Sequence, residues 1–249
     1  MTKMSKSRII LAVFGLILAL TVFSPESRAQ SELVTNGSFE TGDFTGWTEL
    51  AITNAGDWSI YSGAPLNLLP PPDGEFASVT NQVQPDSNII YQDIAVPPDT
   101  QVICTAIVYL RNQSEEGEDD YIIGDGLTLN TDNQQMRVDI IDPEADPFTT
   151  GGGVLLNLFQ TLPGDPDLIG YTPIEFNLTP FAGSTVRFRA AVVVTENPLN
   201  GSIDGVSCIT QAIEKNIPTL GEWGMISAAF GLGLVGVLFA LNRKKAHTV

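Results

Sequence analysis

The sequence predicts an all-β fold: a two-sheet β-sandwich or jelly roll, flanked by an N-terminal signal peptide and a C-terminal single transmembrane helix. Three observations carry this reading. Apolar runs between residues 30 and 212 are short, rich in Val, Ile and Thr, and separated by Gly, Pro, Asn and Asp, which is the pattern of β-strands and tight turns. No segment in that stretch combines a helical apolar period with caps. The two long apolar runs sit at the two ends of the 249-residue chain.

The predicted strands are Glu32–Phe39, Trp47–Leu50, Trp58–Ser62, Phe76–Asn81, Ile89–Val96, Val102–Arg111, Met136–Ile141, Ile174–Leu178, Val186–Val194 and Ser202–Ile209. The breaks between them are Leu69–Gly74, Val96–Asp99, Thr149–Gly153 and Leu162–Asp167, all built of turn formers. Leu155–Phe159 reads as a short helix or an extra strand. Roughly ten strands in one stretch of this length suit two packed sheets.

Lys3, Lys6 and Arg8 form a positive segment ahead of the apolar run Ile9–Phe23, and Ser27-Arg28-Ala29 offers small residues at the −3 and −1 positions. This is the layout of a secretory signal ending at residue 29, with an uncleaved anchor as the alternative. At the other end Met225–Leu241 has no charge, and Arg243, Lys244 and Lys245 follow. Such a run approaches the length that spans a hydrocarbon core, and its basic flank predicts a cytoplasmic C-terminus. Three segments follow: 1–29 signal peptide, 30–212 β domain, 213–249 sorting and membrane segment. The expected location is the cell envelope or surface.

Between Gln30 and Asn216 there are 27 acidic residues against five basic ones, a net of −22. A surface this negative repels nucleic acid, although acidity also serves solubility alone. The acidic run Ser114–Asp120 reads as a solvated loop. The only histidine is His247, in the C-terminal tail, so the exported part lacks a Ser-His-Asp or Cys-His set and a Cys/His zinc site. Gly151-Gly152-Gly153 lacks the strand-to-helix context and the Lys of a phosphate loop. A glycosidase would have to rely on a carboxylate pair. The sequence therefore predicts a non-enzyme. Cys104 and Cys208 both fall in apolar, strand-like runs. A disulfide and a pair of buried thiols are both open to them.

The run Leu33 to Trp47, with its Asn36-Gly37-Ser38-Phe39-Glu40 turn and Gly46-Trp47, resembles the opening of galactose-binding-like jelly rolls. These include several carbohydrate-binding module families and many bacterial surface proteins. Gly201–Ser207 resembles the last strand of that fold, with Gly205 at a position that is usually polar. Between them, Asp73–Ala77, Ile90–Ile94 and Cys104–Tyr109 match inner strands in the expected order. The resemblance implies a structural Ca²⁺ tying the first strand to the last, with Glu40 and Asp204 as ligands beside backbone carbonyls, a hard oxygen set. The alternative makes Glu40 a surface turn residue and pairs Asp204 with Arg187 or Arg189.

Ile217-Pro218-Thr219-Leu220-Gly221-Glu222-Trp223-Gly224, ahead of the apolar run and the basic tail, resembles the IPTL-CTERM sorting motif, with Gly221 where Ser is common. That implies processing by an exosortase-like transpeptidase, with Ile217, Pro218, Thr219, Leu220, Trp223 and Gly224 as the recognised residues. The function expected from all this is non-catalytic: a surface β-sandwich binding glycan or matrix polysaccharide, with Trp58, Tyr61, Tyr91 or Tyr171 stacking on sugar rings. The alternative is a purely structural or adhesive surface protein without a small ligand. A solvent-exposed aromatic row favours the first; a close carboxylate pair in a cleft raises the hydrolase.

Overall fold

A computed structural model describes residues 30–64, 68–80, 85–113, 121–196, 198–212, 224, 225 and 227–232. The chain divides into two units, Ala29–Ile213 and a second made of Met1–Arg28 with Glu214–Val249. In the second unit residues 224, 225 and 227–232 are helical, with Met225, Phe230 and Leu232 exposed. Among the described residues no helix is long and apolar enough to cross a membrane. The signal-peptide segment, the acidic run Ser114–Asp120, the motif residues 217–223 and most of the predicted transmembrane run lie outside the described residues.

The unit Ala29–Ile213 is all-β. One antiparallel sheet has the order β1 (Thr48–Ala51), β4 (Asp86–Ala95), β9 (Thr185–Val194), β6 (Gln135–Ile141), β7 (Val154–Gln160). A second has the order β10 (Leu199–Ala212), β5 (Thr100–Asn112), β8 (Leu168–Asn177), and β2 (Trp58–Ser62) pairs with β3 (Phe76–Thr80). Side chains stitch β3 to the free edge of β10. Ser78 Oγ donates to the Ile203 carbonyl at 2.7 Å, Thr80 Oγ1 accepts from Gly201 N at 3.0 Å, and Asn200 Nδ2 donates to the Thr80 carbonyl at 3.0 Å. These bonds satisfy backbone groups that a buried strand edge would otherwise leave unpaired.

The core lies where alternate residues of the strands meet. From β9 come Val186, Phe188, Ala190, Val192 and Val194; from β4, Ile90 and Ile94; from β5, Val102, Ala106, Val108 and Leu110. The other face of β9 is also covered. Ala191 and Val193 join Ile89 and Leu127, with Leu129 and Phe148 packed alongside. A strand buried on both faces reads as a continuous apolar run, which is why Val186–Val194 shows no polar alternation beyond its two arginines. Those arginines are matched. Arg187 pairs with Asp93 at 2.6 Å. Arg189 pairs with the buried Asp139, which Arg137 also grips at 2.8 Å. Arg189 Nη1 further donates to the carbonyls of Pro147 and Thr149 at 2.6 and 2.8 Å.

Two strand expectations need correction, and one open alternative is decided. Glu32–Phe39 is not a strand: only Glu32 makes an isolated bridge, to Ile209, and turns follow. Asn36 and Phe39 take φ of 51° and 58°, a region closed to extended chain. The turns drive Phe39 into the core, its ring centroid 5.3 Å from that of Trp47. Gly37 is required there, because a Cβ would sit 1.7 Å from the Val206 carbonyl oxygen. Leu155–Phe159 is strand, lying within β7. The strand expected at Ile174–Leu178 starts earlier, at Leu168; its exposed outer positions, Pro173 included, hid its length from an apolar-run reading.

Cys104 and Cys208 face each other across β5 and β10 and are bridged, with S–S 2.10 Å. The bond closes a loop with a sequence separation of 104 residues. A loop of that size removes about 4–5 kcal/mol of unfolded-chain entropy in the chain-entropy account. A Cys104→Ser, Cys208→Ser double variant should therefore lose about 2–5 kcal/mol in urea unfolding relative to the oxidised wild type. Reducing the wild type should give the same loss. Equal midpoints for oxidised and reduced protein would show that the bridge contributes nothing.

Candidate functional site

Two places gather polar groups that the fold itself does not use up. The first is where the chain enters and leaves the sandwich. The entering segment is bound along β10: Leu33 N donates to the Cys208 carbonyl at 3.0 Å, Val206 N to the Gly37 carbonyl at 3.0 Å, and Thr210 N to the Ser31 carbonyl at 2.9 Å. The Glu32 carboxylate reinforces this, accepting from the backbone N–H of Leu33, Val34 and Cys208 at 2.8–2.9 Å and from the Ser207 hydroxyl. Glu40 then reaches the β2–β3 connection, where its Oε1 accepts from Glu75 N and Phe76 N, both at 2.9 Å. Gly74 lies under this carboxylate, and a Cβ there would come 2.2 Å from Oε1. Asp204 Oδ2 accepts from Asp73 N at 3.2 Å and Oδ1 from Gly205 N at 2.8 Å. Gly205 has φ of 55° at a bulge in the β10–β5 pairing. That left-handed conformation at a bulge favours glycine here.

The structure thus brings the two sequence-predicted ligands to one region and adds Asp73, which the sequence reading placed in a turn and strand match but not among the ligands. Asp204 is 1% exposed. Burial foremost, and then the carboxylates of Asp73 and Glu40, push its pKa up to about 7, against the N–H donors of Gly205 and Asp73. The ion pair offered as its alternative is absent, since Arg187 and Arg189 are held by Asp93 and Asp139. Glu40, Asp73, Asn36, Glu32 and Ser207 line a cleft of about 400 Å³. Among the described residues no ready-made group of three or more His, Cys, Asp or Glu side chains is placed to hold a metal ion.

The second place is the loop joining β1 to β2. Asp86, fully buried at the start of β4, receives this loop on its carboxylate. Oδ1 accepts from Ile52 N, Thr53 N and Ser87 N at 3.1, 2.8 and 2.8 Å; Oδ2 accepts from Ala55 N and Gly56 N at 2.8 and 3.2 Å. Burial raises the pKa of this carboxyl, but the backbone donors outweigh it and hold it below the ordinary value. The loop so fixed walls a cleft of about 390 Å³, lined by Glu49, Ala51, Asn54, Asp57, Trp58 and Asn88 among others. Partial burial, and then the charge of Asp57, raises the pKa of Glu49. Nothing in the sequence marked Asp86, because an Asp after a Pro reads as an ordinary turn.

The aromatic expectation is corrected. Trp58 and Tyr61 are 3% and 7% exposed and belong to the interior. Tyr171 hydrogen-bonds to Tyr61 at 2.7 Å and to the Leu69 carbonyl at 2.9 Å. One face of Tyr91 carries the Arg187 guanidinium at 4.0 Å. Among the described residues of the β unit no aromatic ring is exposed.

No protein-family model matches the chain, and no curated protein matches it. Solved structures similar to it include TmCBM61 in complex with β-1,4-galactotriose, at 12% identity over 73% of this chain and 99% of that one, TM-score 0.45. Another is the K1 cleaved adhesin domain of Lys-gingipain from Porphyromonas gingivalis W83, at 10% identity over 74% and 99%, TM-score 0.41. The cyclase Fisc from Fischerella sp. TAU matches at 13% identity over 75% and 100%, TM-score 0.45. Similarity at this level carries no function from one chain to another.

Asp86 generates a prediction with a definite sign. Its pKa is lowered on folding, so its contribution to stability is present above the unfolded value of about 3.9 and is lost as pH falls through the lower folded value. Asp86→Ala should cost about 3 kcal/mol at pH 7, because it strips several backbone donors of their acceptor. Asp86→Asn should flatten the acid limb of stability below about pH 4. Urea titrations across that range check both; an unchanged acid limb in Asp86→Asn would assign the limb to other carboxylates.

Proposed function

We propose that the chain is an exported, surface-anchored β-sandwich protein that binds glycan or matrix polysaccharide without catalysis. The carrying observation is the Cys104–Cys208 bridge inside the sandwich: disulfides persist outside the reducing cytosol, in agreement with a signal peptide ending at residue 29. The IPTL-CTERM resemblance adds sorting by an exosortase-like transpeptidase, with the C-terminal apolar run held in the membrane until processing. Mass spectrometry of the surface protein tests both steps. The expected N-terminus is Gln30. An intact Met1 would overturn export, and a C-terminus still at Val249 on the cell surface would overturn sorting.

In the same reading Glu40 and Asp204, with Asp73, hold a structural Ca²⁺. What supports this is the donor type: Asp204 is desolvated to a pKa of about 7 and feels the carboxylates of Asp73 and Glu40, while the three side chains do not yet surround one point among the described residues. Such a set is relieved by a hard divalent cation. The ion would clip the entering segment to β10 and the β2–β3 connection, adding to bonds already present rather than replacing them. Binding to the folded state alone adds about 2.7 kcal/mol at a hundredfold excess over the dissociation constant. Thermal melts in excess Ca²⁺ should run well above those in EDTA, and Glu40→Gln or Asp204→Asn should close the gap while leaving the protein folded. Identical wild-type midpoints in the two conditions would return these carboxylates to turn duty.

A second reading, a structural or adhesive surface protein with no small ligand, is favoured by one observation: the rings expected to stack on sugars are turned inward or covered. Glycan binding by this chain then rests on hydrogen bonds rather than on stacking.

A further inference from the structure

The cleft beside the β1–β2 loop combines features that point to one kind of ligand. Glu49 lies opposite Ile90, and Ala51 opposite Asn88, in the β1–β4 pairing. Opposed residues of an antiparallel pair share a face, so Glu49, Ala51 and Asn88 all project from the face that carries the core residue Ile90. Trp58, the first residue of β2, borders the same cleft. Asn88 and Trp58 are 1% and 3% exposed, and neither Asn88 Nδ2 nor Trp58 Nε1 has a hydrogen-bond partner. An unmatched buried N–H is costly, and two beside one cleft call for an acceptor. Glu49 and Asp57 are exposed acceptors lining the same cleft, and the charge of Asp57 acts on Glu49.

We propose that this cleft binds a neutral polyhydroxylated ligand, a sugar unit of an uncharged polysaccharide, with Glu49 and Asp57 accepting from its hydroxyls and Asn88 and Trp58 donating to its oxygens. This rests on the glycan-binding reading and locates it. A metal cation would satisfy the carboxylates but face two N–H donors. An anion would meet two carboxylates. An apolar ligand would leave all four groups unmatched. Only a molecule whose groups both donate and accept fits the set, and each sugar hydroxyl does both. Trp58 contributes its indole N–H rather than its ring face. The four loop N–H groups of Ile52, Thr53, Ala55 and Gly56 on Asp86 hold the loop wall in place before any ligand arrives, which lowers the ordering cost of binding.

The full-length chain, in a polyoxyethylene detergent that has no sugar headgroup, is screened against neutral galacto-, gluco-, manno- and xylo-oligosaccharides, with polygalacturonate and CaCl₂ as charged probes. A neutral oligosaccharide should bind, and Glu49→Gln with Asp57→Asn, both exposed and so harmless to folding, should weaken it at least tenfold. In 5-fluorotryptophan-labelled protein the Trp58 resonance, assigned by its loss in Trp58→Phe, should move on titration. That of Trp47, whose indole already donates to the Asn36 carbonyl at 3.0 Å, should stay. Neutral glycan bound with equal affinity by the double variant, and an unmoved Trp58, would overturn this site and leave glycan binding standing. A wild type that binds no neutral oligosaccharide would overturn both. A Trp58 shift produced by polygalacturonate or CaCl₂ and not by neutral sugars would overturn the neutral-ligand assignment.

Discussion

The structure depends on its last strand, an edge strand of its sheet, being covered along its outer side. β10 is paired with β5 along its length on one side and takes the side chains of Ser78 and Thr80 from β3 on the other. It also receives the entering chain at Leu33, Gly37 and Ser31, and its Cys208 is bonded to Cys104. Each of these contacts joins residues 199–212 to a distant stretch of chain. Such a topology spends loop entropy before it gains contacts and folds slowly. The disulfide and the Glu32 carboxylate act where that entropy is largest, by tying the final strand to distant parts of the chain.

Carboxylates do much of the work that helix caps and basic side chains do elsewhere, and they do it by three different balances. Asp139 is buried and matched by two guanidiniums, so it is a structural charge. Asp86 is buried and matched by backbone N–H groups, which keeps it ionised without any cation. Asp204 is buried and only partly matched, with more negative charge beside it. The net acidity of the segment between the apolar ends therefore conceals three distinct physical situations, and only in the third is a buried carboxylate left with more negative than positive surroundings.

Strand positions were legible where apolar runs were short and bounded. Trp58–Ser62 and the cores of Val102–Arg111 and Val186–Val194 stand where the pattern put them. The opening segment was misread because its apolar residues mimic a strand, whereas positive-φ turns at Asn36 and Phe39 aim one of them into the core. The aromatics were misjudged for a related reason: an amphipathic Trp or Tyr reads the same whether its polar atom meets solvent, a neighbouring hydroxyl or a ligand. Glu40 and Asp204 were singled out from family resemblance, while Asp73, Asp86, Glu49 and Asn88 left no mark, since an Asp, Glu or Asn near a turn or strand end is common in any β protein.

What the sequence determined by itself is what composition and local pattern can encode. That covers the β class and most strand positions, the strong negative charge of the segment between the apolar ends, and the absence of histidine chemistry there. Strand order, the bonding of Cys104 to Cys208, the separation of Arg187 and Arg189 from Asp204, and the burial of Trp58 beside unmatched donors came only from the tertiary structure. The reason is range. A strand's existence follows from residues one or two apart, whereas each of these outcomes joins groups tens to more than a hundred positions apart, and no local pattern records which distant partner a buried polar group will meet.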